Sequence, residues 1–282
     1  MTTATSALDR FRVDGARALV TGASRGIGKA VALTLADAGC DLALSARTAA
    51  ALDATLRAVE ERGRKAVAVP ADLTHPGSPA TVVDQAAAFF GGLDIVVHNA
   101  GALPAAPDGS PVLVPLQGGE QSHWDQVIAL NLNATAALCR AAHPYLAASQ
   151  RASLILMSSV AGLVGTPMME AYAASKAAQI SLARSLATGW ARQGIRVNAL
   201  CPGWTRTDMT EFAATGPLSD WLMAHVPLGR WAEPDEVALA ALFLAGPAAA
   251  FLTSHALVLD GGLSVPDGGL AGIPKPPSPF SA

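Results

Sequence analysis

Residues 16–28 read Ala16-Arg17-Ala18-Leu19-Val20-Thr21-Gly22-Ala23-Ser24-Arg25-Gly26-Ile27-Gly28, and their reading decides the fold. An apolar run at 16–21 enters a turn with three glycines, and an Ala-rich helical stretch at 29–38 follows. Strand, glycine-rich turn and helix is the context that a nucleotide site requires. Glycine lets the backbone come close to a pyrophosphate, and a helix N-terminus offers free N–H groups and a positive dipole end. The spacing is Gly22-x3-Gly26-x-Gly28, which differs from the commoner G-x-G-x-x-G.

The same rhythm continues outward from this stretch. Apolar runs at 41–45, 66–70, 93–98, 154–158, 196–201 and 256–259 read as further strands, and 50–62 reads as the second helix. Strands separated by helices of this length predict parallel βαβ units. The expected fold is therefore α/β: a single Rossmann-type domain, with a doubly wound parallel sheet of about seven strands and helices on both faces. Two stretches break the pattern. Residues 102–119, rich in Pro and Gly, read as a long loop, and residues 264–282 carry Pro266, Pro274, Pro276, Pro277 and Pro279. Proline that dense excludes helix and central strand. The expected organisation is one domain over 1–263 and a Pro-rich tail over 264–282.

Composition supports a buried core: of 282 residues, 51% are hydrophobic and 15% charged. The net charge of −3, with no long run of either sign, gives no reason to expect nucleic acid or an anionic membrane as partner. No apolar stretch approaches the ~20 residues that span a bilayer. The N-terminal ten residues are polar and lack the apolar core of a leader, so a cytoplasmic location is expected. Cys40, Cys139 and Cys201 are scattered without metal or disulfide spacing and read as buried thiols.

The second strand ends Leu44-Ser45-Ala46-Arg47. NAD enzymes usually place a carboxylate there for the ribose 2′-hydroxyl. Arg47 instead can grip a 2′-phosphate bidentately, and Arg25 in the glycine turn adds a second positive charge, so NADP(H) is the expected cofactor. Tyr172 and Lys176 stand four apart in an Ala-rich helical stretch and share a helix face. A free phenol, with a pKa near 10, is a poor acid–base group at neutral pH. A neighbouring ammonium is expected to lower it and fit it to give or take a proton. With two tyrosines and four lysines in the chain, a chance Tyr-x3-Lys pair is about a three-in-a-hundred event. Ser159, at the exit of the strand at 154–158, is placed to hydrogen-bond a substrate oxygen as negative charge develops on it.

These residues resemble the short-chain dehydrogenase/reductase family, single-domain branch, over about residues 13–262. The matching series runs in order: Thr21-Gly22-x3-Gly26-Ile27-Gly28, Asp72-Leu73, Asn99-Ala100-Gly101, Asn131, Ser159, Tyr172-x3-Lys176, Pro202-Gly203 with Thr207, and Asp260-Gly261-Gly262. The resemblance implies a catalytic set of Asn131, Ser159, Tyr172 and Lys176. It implies that Gly22, Ser24, Arg25, Gly26, Ile27, Gly28 and Arg47 hold the cofactor's phosphates. Asp72 and Leu73 would meet the adenine. Asn99 would brace the central strands, with Ala100 and Gly101 lining the cofactor. Lys176 would also bond the nicotinamide ribose, Asn131 would hold a water linking Lys176 to solvent, and Pro202, Gly203, Thr205 and Thr207 would hold the nicotinamide. No metal is implied.

The expected activity is NADPH-dependent reduction of a ketone or aldehyde. Residues 204–231 are expected to form a lid. Their Trp204, Met209, Phe212, Trp221, Leu222 and Met223 either pack on the body of the protein or line a pocket for a bulky apolar carbonyl. A 3-oxoacyl-(acyl-carrier-protein) reductase is the alternative within the class, although the positions that would dock an acidic carrier, Gln150 and Thr188, are not basic. A cofactor-binding regulatory protein without catalysis is the alternative outside it. The chain departs from the family at His98, in the long loop, at Ser254-His255 and in the tail. Helical stretches at 133–146 and 173–186 are rich in small residues. In the family the equivalents pair between subunits, which implies a homotetramer, or a homodimer.

Overall fold

The computed structural model describes residues 6–265 and 275–277. Seven strands form one parallel sheet: β1 Arg17–Thr21, β2 Asp41–Ser45, β3 Ala66–Ala68, β4 Ile95–His98, β5 Ser153–Met157, β6 Arg196–Pro202 and β7 Ala256–Leu259, in the order β3-β2-β1-β4-β5-β6-β7. The strands at 16–21 and 41–45 stand as expected to within a residue. The strand at 93–98 starts two residues late, at Ile95, although the Asp94 backbone already donates to the Arg17 carbonyl and accepts from Ser153 N. The helix expected at 50–62 divides into a 3-10 turn, Ala50–Leu52, and α2, Asp53–Glu60. Most of the 264–282 tail lies outside the described residues.

The strands are continuous apolar runs because both faces of the sheet are covered. Alternate residues feed two separate cores. Ala18, Val20, Leu42, Leu44, Ile95 and Val97 face one of them, with α1 (Gly26–Asp37), α2 and α8 (Pro234–Ala245). Leu19, Ala43, Val96, Leu154 and Leu156 face the other, with α3 (Ser78–Phe90), α5 (Ala134–Ala147) and α6 (Glu170–Trp190). Cys40, Cys139 and Cys201 are all buried in these cores.

The chain winds outward from β1 to β3, then returns to the centre and winds the other way from β4 to β7. The reversal between β1 and β4 leaves a crevice at their carboxyl ends, where ligands of open α/β sheets bind. Between β4 and α5 the chain makes α4 (Gln121–Ile128) and a π-helical turn, Ala129–Asn133, which carries Asn131. Such turns recur at functional sites because they re-aim a residue out of the helical ladder. The expected long loop is ordered at its tip, where Ala105 pairs antiparallel with Pro111 and Asp108 accepts from Ser110. A further helix, α7 (Gly216–Met223), lies within 204–231.

Candidate active site

The glycine turn forms as its sequence requires. α1 begins at Gly26, earlier than the helix expected at 29–38, so that Gly26, Ile27 and Gly28 make its first turn. Its N-cap, Arg25, has no acceptor side chain and makes no cap bond, leaving the first-turn N–H groups to a ligand. A Cβ at Gly28 would collide with the Gly22 carbonyl, and one at Gly22 would sit 2.8 Å from Asn99 Nδ2, so neither position admits a side chain. Asn99 locks the crevice. Its Nδ2 donates to the carbonyls of Thr21 (3.2 Å) and Gly22 (3.1 Å), tying the end of β4 to the end of β1. Ala100 and Gly101 follow it along the crevice floor.

Thr21 Oγ1 accepts from the backbone N–H groups of Asn99 and Ala100, both at 3.1 Å, which fills its two lone pairs. Its proton therefore points to His98 Nδ1 at 2.9 Å. That makes His98 the Nε2–H tautomer, and Nε2 is buried without a partner. Burial, with the Lys176 charge nearby, holds His98 down to about 3, so the ring is neutral.

Arg47 is exposed at the exit of β2, and among the described residues no ion pair or hydrogen bond occupies it. Arg25 is not free in the same way: its Nη1 donates to Asp208 Oδ2 at 2.7 Å. Asp208 lies beside Thr207, whose methyl would sit 3.2 Å from a Cβ at Gly26, so the first part of the segment 204–231 packs on the glycine turn. Asp72 Oδ1 accepts from Thr74 N (2.9 Å) and Oγ1 (2.7 Å), and these bonds hold its carboxyl below the usual carboxylate range. Leu73 buries its side chain and leaves only its backbone to a ligand. At the end of β6, Gly203 packs on Asp260 too closely for any side chain. Thr205 Oγ1 donates back to the Gly203 carbonyl (3.2 Å), and Thr207 caps the 3-10 turn Asp208–Ala213. These features suit an extended dinucleotide along the carboxyl edge of the sheet, with NADP(H) the cofactor they fit: glycines where backbone must approach, free amides at α1, and a cation at the end of β2.

The catalytic candidates converge at the ends of β5 and α6. Ser159 caps the turn after β5, its Oγ accepting from Ala161 N at 3.1 Å. Two bonds staple β5 to α6: Ser158 Oγ donates to the Lys176 carbonyl (2.8 Å), and Lys176 Nζ donates to the Met157 carbonyl (2.7 Å). A Cβ at Gly162 would press on the backbone of Lys176 and Ala177, so the turn after Ser159 lies directly against α6. This packing sets Tyr172 beside Ser159.

The electrostatics differ from the expectation. Burial raises the Tyr172 phenol above its ordinary value, and only the hydrogen bond with Ser159 opposes it. Lys176 does not lower it, because its Nζ lies 5.4 Å from the Tyr172 ring centre and is committed to Met157 and Gln179. Burial in turn lowers Lys176 to about 8. Asn131 is wholly engaged. Its Oδ1 accepts from Ala102 N, its Nδ2 donates to the Ala102 carbonyl and Ser175 Oγ, and its own carbonyl accepts from Thr135 Oγ1 and Gln179 Nε2. Both lone pairs of that carbonyl are thus taken by side chains. Gln179 was not singled out from sequence, although a polar residue three positions after Lys176 on a buried helix face was there to be read.

The tryptophans of 204–231 pack mostly on one another. Ala213, Leu222 and Trp231 make a small core with Trp204, Trp221 and Met223 around it, and Trp231 Nε1 donates to Ser219 Oγ (2.9 Å). A cavity is formed elsewhere, by the long loop, α4 and the residues leading into α6 as far as Ala171; Ser159 and Tyr172 are not among its walls. It measures about 320 Å³ and is walled by Pro104, Val112, Leu116, Trp124, Met168 and Met169, among others. Met168 holds φ +66°, a conformation costly for a side chain larger than glycine, as its wall turns into α6. Among the described residues no cluster suits a metal ion, and no helix is long and apolar enough to cross a membrane.

Comparison with known proteins agrees with this site. The family model described as enoyl-(acyl carrier protein) reductase matches residues 22–264. Gluconate 5-dehydrogenase of Gluconobacter oxydans is 35% identical over 91% of this chain and 98% of its own length. A short-chain type dehydrogenase/reductase from Mycobacterium marinum is 32% identical, with a TM-score of 0.83 over 93% of this chain and all of that one. A gluconate 5-dehydrogenase from Burkholderia cenocepacia, solved with NADP and tartrate, is 33% identical with a TM-score of 0.85, covering 93% of this chain and 100% of its own.

Proposed function

The chain belongs to the short-chain dehydrogenase/reductase family and is an NADP(H)-dependent oxidoreductase of the alcohol/carbonyl pair; from that premise we propose that it is a carbonyl reductase in which Tyr172 is the proton donor, flanked by Ser159, Lys176 and Asn131. The observation that carries the reading is the stapling of β5 to α6, which sets Ser159 and Tyr172 side by side at the mouth of the crevice. NADPH supplies the hydride when bound. Ser159 and Tyr172 hydrogen-bond the substrate oxygen, stabilise the charge that develops on it, and Tyr172 passes its proton to that oxygen. A phenol raised by burial is protonated at neutral pH, the form that can give a proton to the substrate oxygen. The Lys176 ammonium, held 5.4 Å from the ring centre by Met157 and Gln179, bonds the nicotinamide ribose in this reading and does not tune the phenol.

Arg47 is the 2′-phosphate clamp in this reading, Arg25 joining it only by leaving Asp208. The substrate is a neutral, largely apolar ketone or aldehyde. The cavity that ends at Ala171, the residue before Tyr172, supports this: its walls are mainly apolar, its charged and polar groups are Glu120, Gln121, His123 and Glu170, and it carries no lysine or arginine to hold a sugar acid. The protein assembles as a homotetramer through α5 and α6. Ala174, Ala177, Ser181 and Ser185 leave a flat exposed stripe on α6 that a second helix can approach. Light scattering giving a monomer at micromolar concentration would remove the assembly.

Loss of the NADPH absorbance band tests the activity. The panel is an aryl ketone, an aliphatic aldehyde, a 3-oxoacyl thioester and a keto-sugar acid, run with wild type and Tyr172→Phe. Turnover of the neutral carbonyls that disappears in the variant is expected. Preference for the sugar acid would refute the substrate class, and full activity in Tyr172→Phe would refute the proton donor.

A further inference from the structure

α6 turns a buried face to the sheet, and that face is apolar at Ile180, Ala183 and Ala187. Gln179 interrupts it. The side chain is fully buried, and a buried amide is costly unless each polar atom is matched. Gln179 matches all of them within the candidate catalytic set. Its Oε1 accepts from Lys176 Nζ (3.2 Å), and its Nε2 donates to the Asn131 carbonyl (2.7 Å) and Thr135 Oγ1 (3.1 Å). Thr135 Oγ1 donates to the same carbonyl at 2.6 Å. One amide therefore bridges Lys176 to Asn131 without an intervening water. Gly101 closes the other side: a Cβ there would lie 3.3 Å from both Asn131 Oδ1 and Lys176 Nζ.

We propose that Gln179 is a positioning residue, which fixes the Lys176 ammonium against the Met157 carbonyl and keeps it charged at working pH, while holding the π-helical turn so that Asn131 faces the cofactor crevice. The proposal rests on the reading of Tyr172 and Lys176 as acid and partner. An acceptor facing an ammonium favours the charged form and opposes the desolvation that burial imposes. The donor end of the same amide takes the Asn131 carbonyl inside the π-helical turn Ala129–Asn133. An amide cannot pass a proton as water does, so Gln179 acts on the position and charge of Lys176 and not as a link in a relay.

Several titratable groups face Lys176. His98 on β4 is held neutral, at about 3. Cys201 on β6 is pushed up to about 11, and the Tyr172 phenol is raised on α6 itself. Near pH 8 Lys176 is then the one group of this cluster that changes charge.

The chain has four lysines, so ¹³C-lysine labelling of the intact protein resolves the Lys176 resonance, assigned with Lys176→Arg, and its titration is read directly. The comparison is wild type, Gln179→Met, which keeps the volume and removes the acceptor and donors, and Gln179→Glu, which keeps the acceptor and adds charge. Gln179→Met is expected to lower the Lys176 midpoint by about one pH unit, the effect of one hydrogen bond to a charged group. The alkaline limb of kcat/KM for reduction should fall by the same amount. Gln179→Glu is expected to raise the midpoint. A midpoint unchanged in Gln179→Met, or a limb that stays while the midpoint moves, overturns the proposal even if Tyr172→Phe is inactive. If Gln179→Met does not fold, an unmoved midpoint in Gln179→Glu overturns it equally. Activity surviving in Tyr172→Phe would instead defeat the underlying reading, while the titration would still report whether Gln179 holds Lys176.

Discussion

Lys176 makes the stability of this protein depend on pH in a direction opposite to that of an ordinary paired lysine. The residue is 3% exposed, and burial carries its pKa from an ordinary 10.5 down to about 8. The unfolded chain binds that proton more tightly than the folded chain does. Below about pH 8 both states are protonated, and the full cost of burying the charge is present. Between about 8 and 10.5 the folded state releases the proton first, so stability rises with pH across that window. A displacement of about 2.5 units corresponds to an upper bound of about 3 kcal/mol. The perturbation is Lys176→Met, which removes the titrating group at similar volume. It also leaves the Met157 carbonyl and Gln179 Oε1 without their donor, but that loss does not vary with pH. Urea unfolding of both proteins from pH 6.5 to 10.5 gives the difference between them. Wild type should gain on the variant by up to about 3 kcal/mol between pH 8 and 10.5, with no change between 6.5 and 7.5. A difference that is flat across the range would refute the claim that the ammonium is desolvated, and with it the origin of the alkaline limb near pH 8.

Other consequences follow from the same contacts. Arg47→Ala should reduce the preference for NADPH over NADH roughly tenfold, measured as the ratio of kcat/KM, since one charge-assisted contact is lost; an unchanged ratio would transfer the clamp to Arg25. Gly101→Ala should weaken NADPH binding in a fluorescence titration with little loss of melting temperature, because its Cβ would sit 3.3 Å from Asn131 Oδ1 and Lys176 Nζ at the cofactor side. Asp94→Asn should destabilise the fold by about 3 kcal/mol. Asp94 takes Arg17 Nε (2.9 Å) and Nη2 (2.8 Å) and Ser149 Oγ (2.7 Å). Burial pushes its carboxyl up, yet these bonds outweigh that and hold it below the usual range. The stabilisation is present above the ordinary carboxylate pKa and is lost as pH falls through the depressed value, so the variant should flatten the acid limb of the melting curve.

Much of the fold was legible before any coordinates. Seven apolar runs with turn signals became seven parallel strands, because a strand covered on both faces needs no polar alternation and stands out in the chain. The glycine turn was a weak signal by itself and gained its meaning from the strand before it and the helix after it. Tyr172, Lys176 and Ser159 were readable as a set because residues four apart share a helix face and a hydroxyl at a strand exit meets that face. Their chemistry was less so. Spacing places a lysine near a tyrosine but does not say where its long flexible side chain ends. In this molecule it ends on Met157 and Gln179, and burial rather than the ammonium governs the phenol.

Sequence alone determined the α/β class, the parallel sheet, the expectation of NADP(H) from Arg47, and the identity of the residues that meet at the ends of β5 and α6. These are properties of local pattern: hydrophobic period, glycine spacing, the charge at one strand end. Tertiary structure alone decided the partners of those residues. It paired Arg25 with Asp208, gathered the tryptophans of 204–231 into their own core, built the cavity from the long loop and Met168, and saturated Asn131 with Thr135 and Gln179. Each of these joins side chains distant in sequence or aimed by a break in a helix. Packing must satisfy every buried polar atom at once, and that condition spans the whole fold rather than any one stretch of chain.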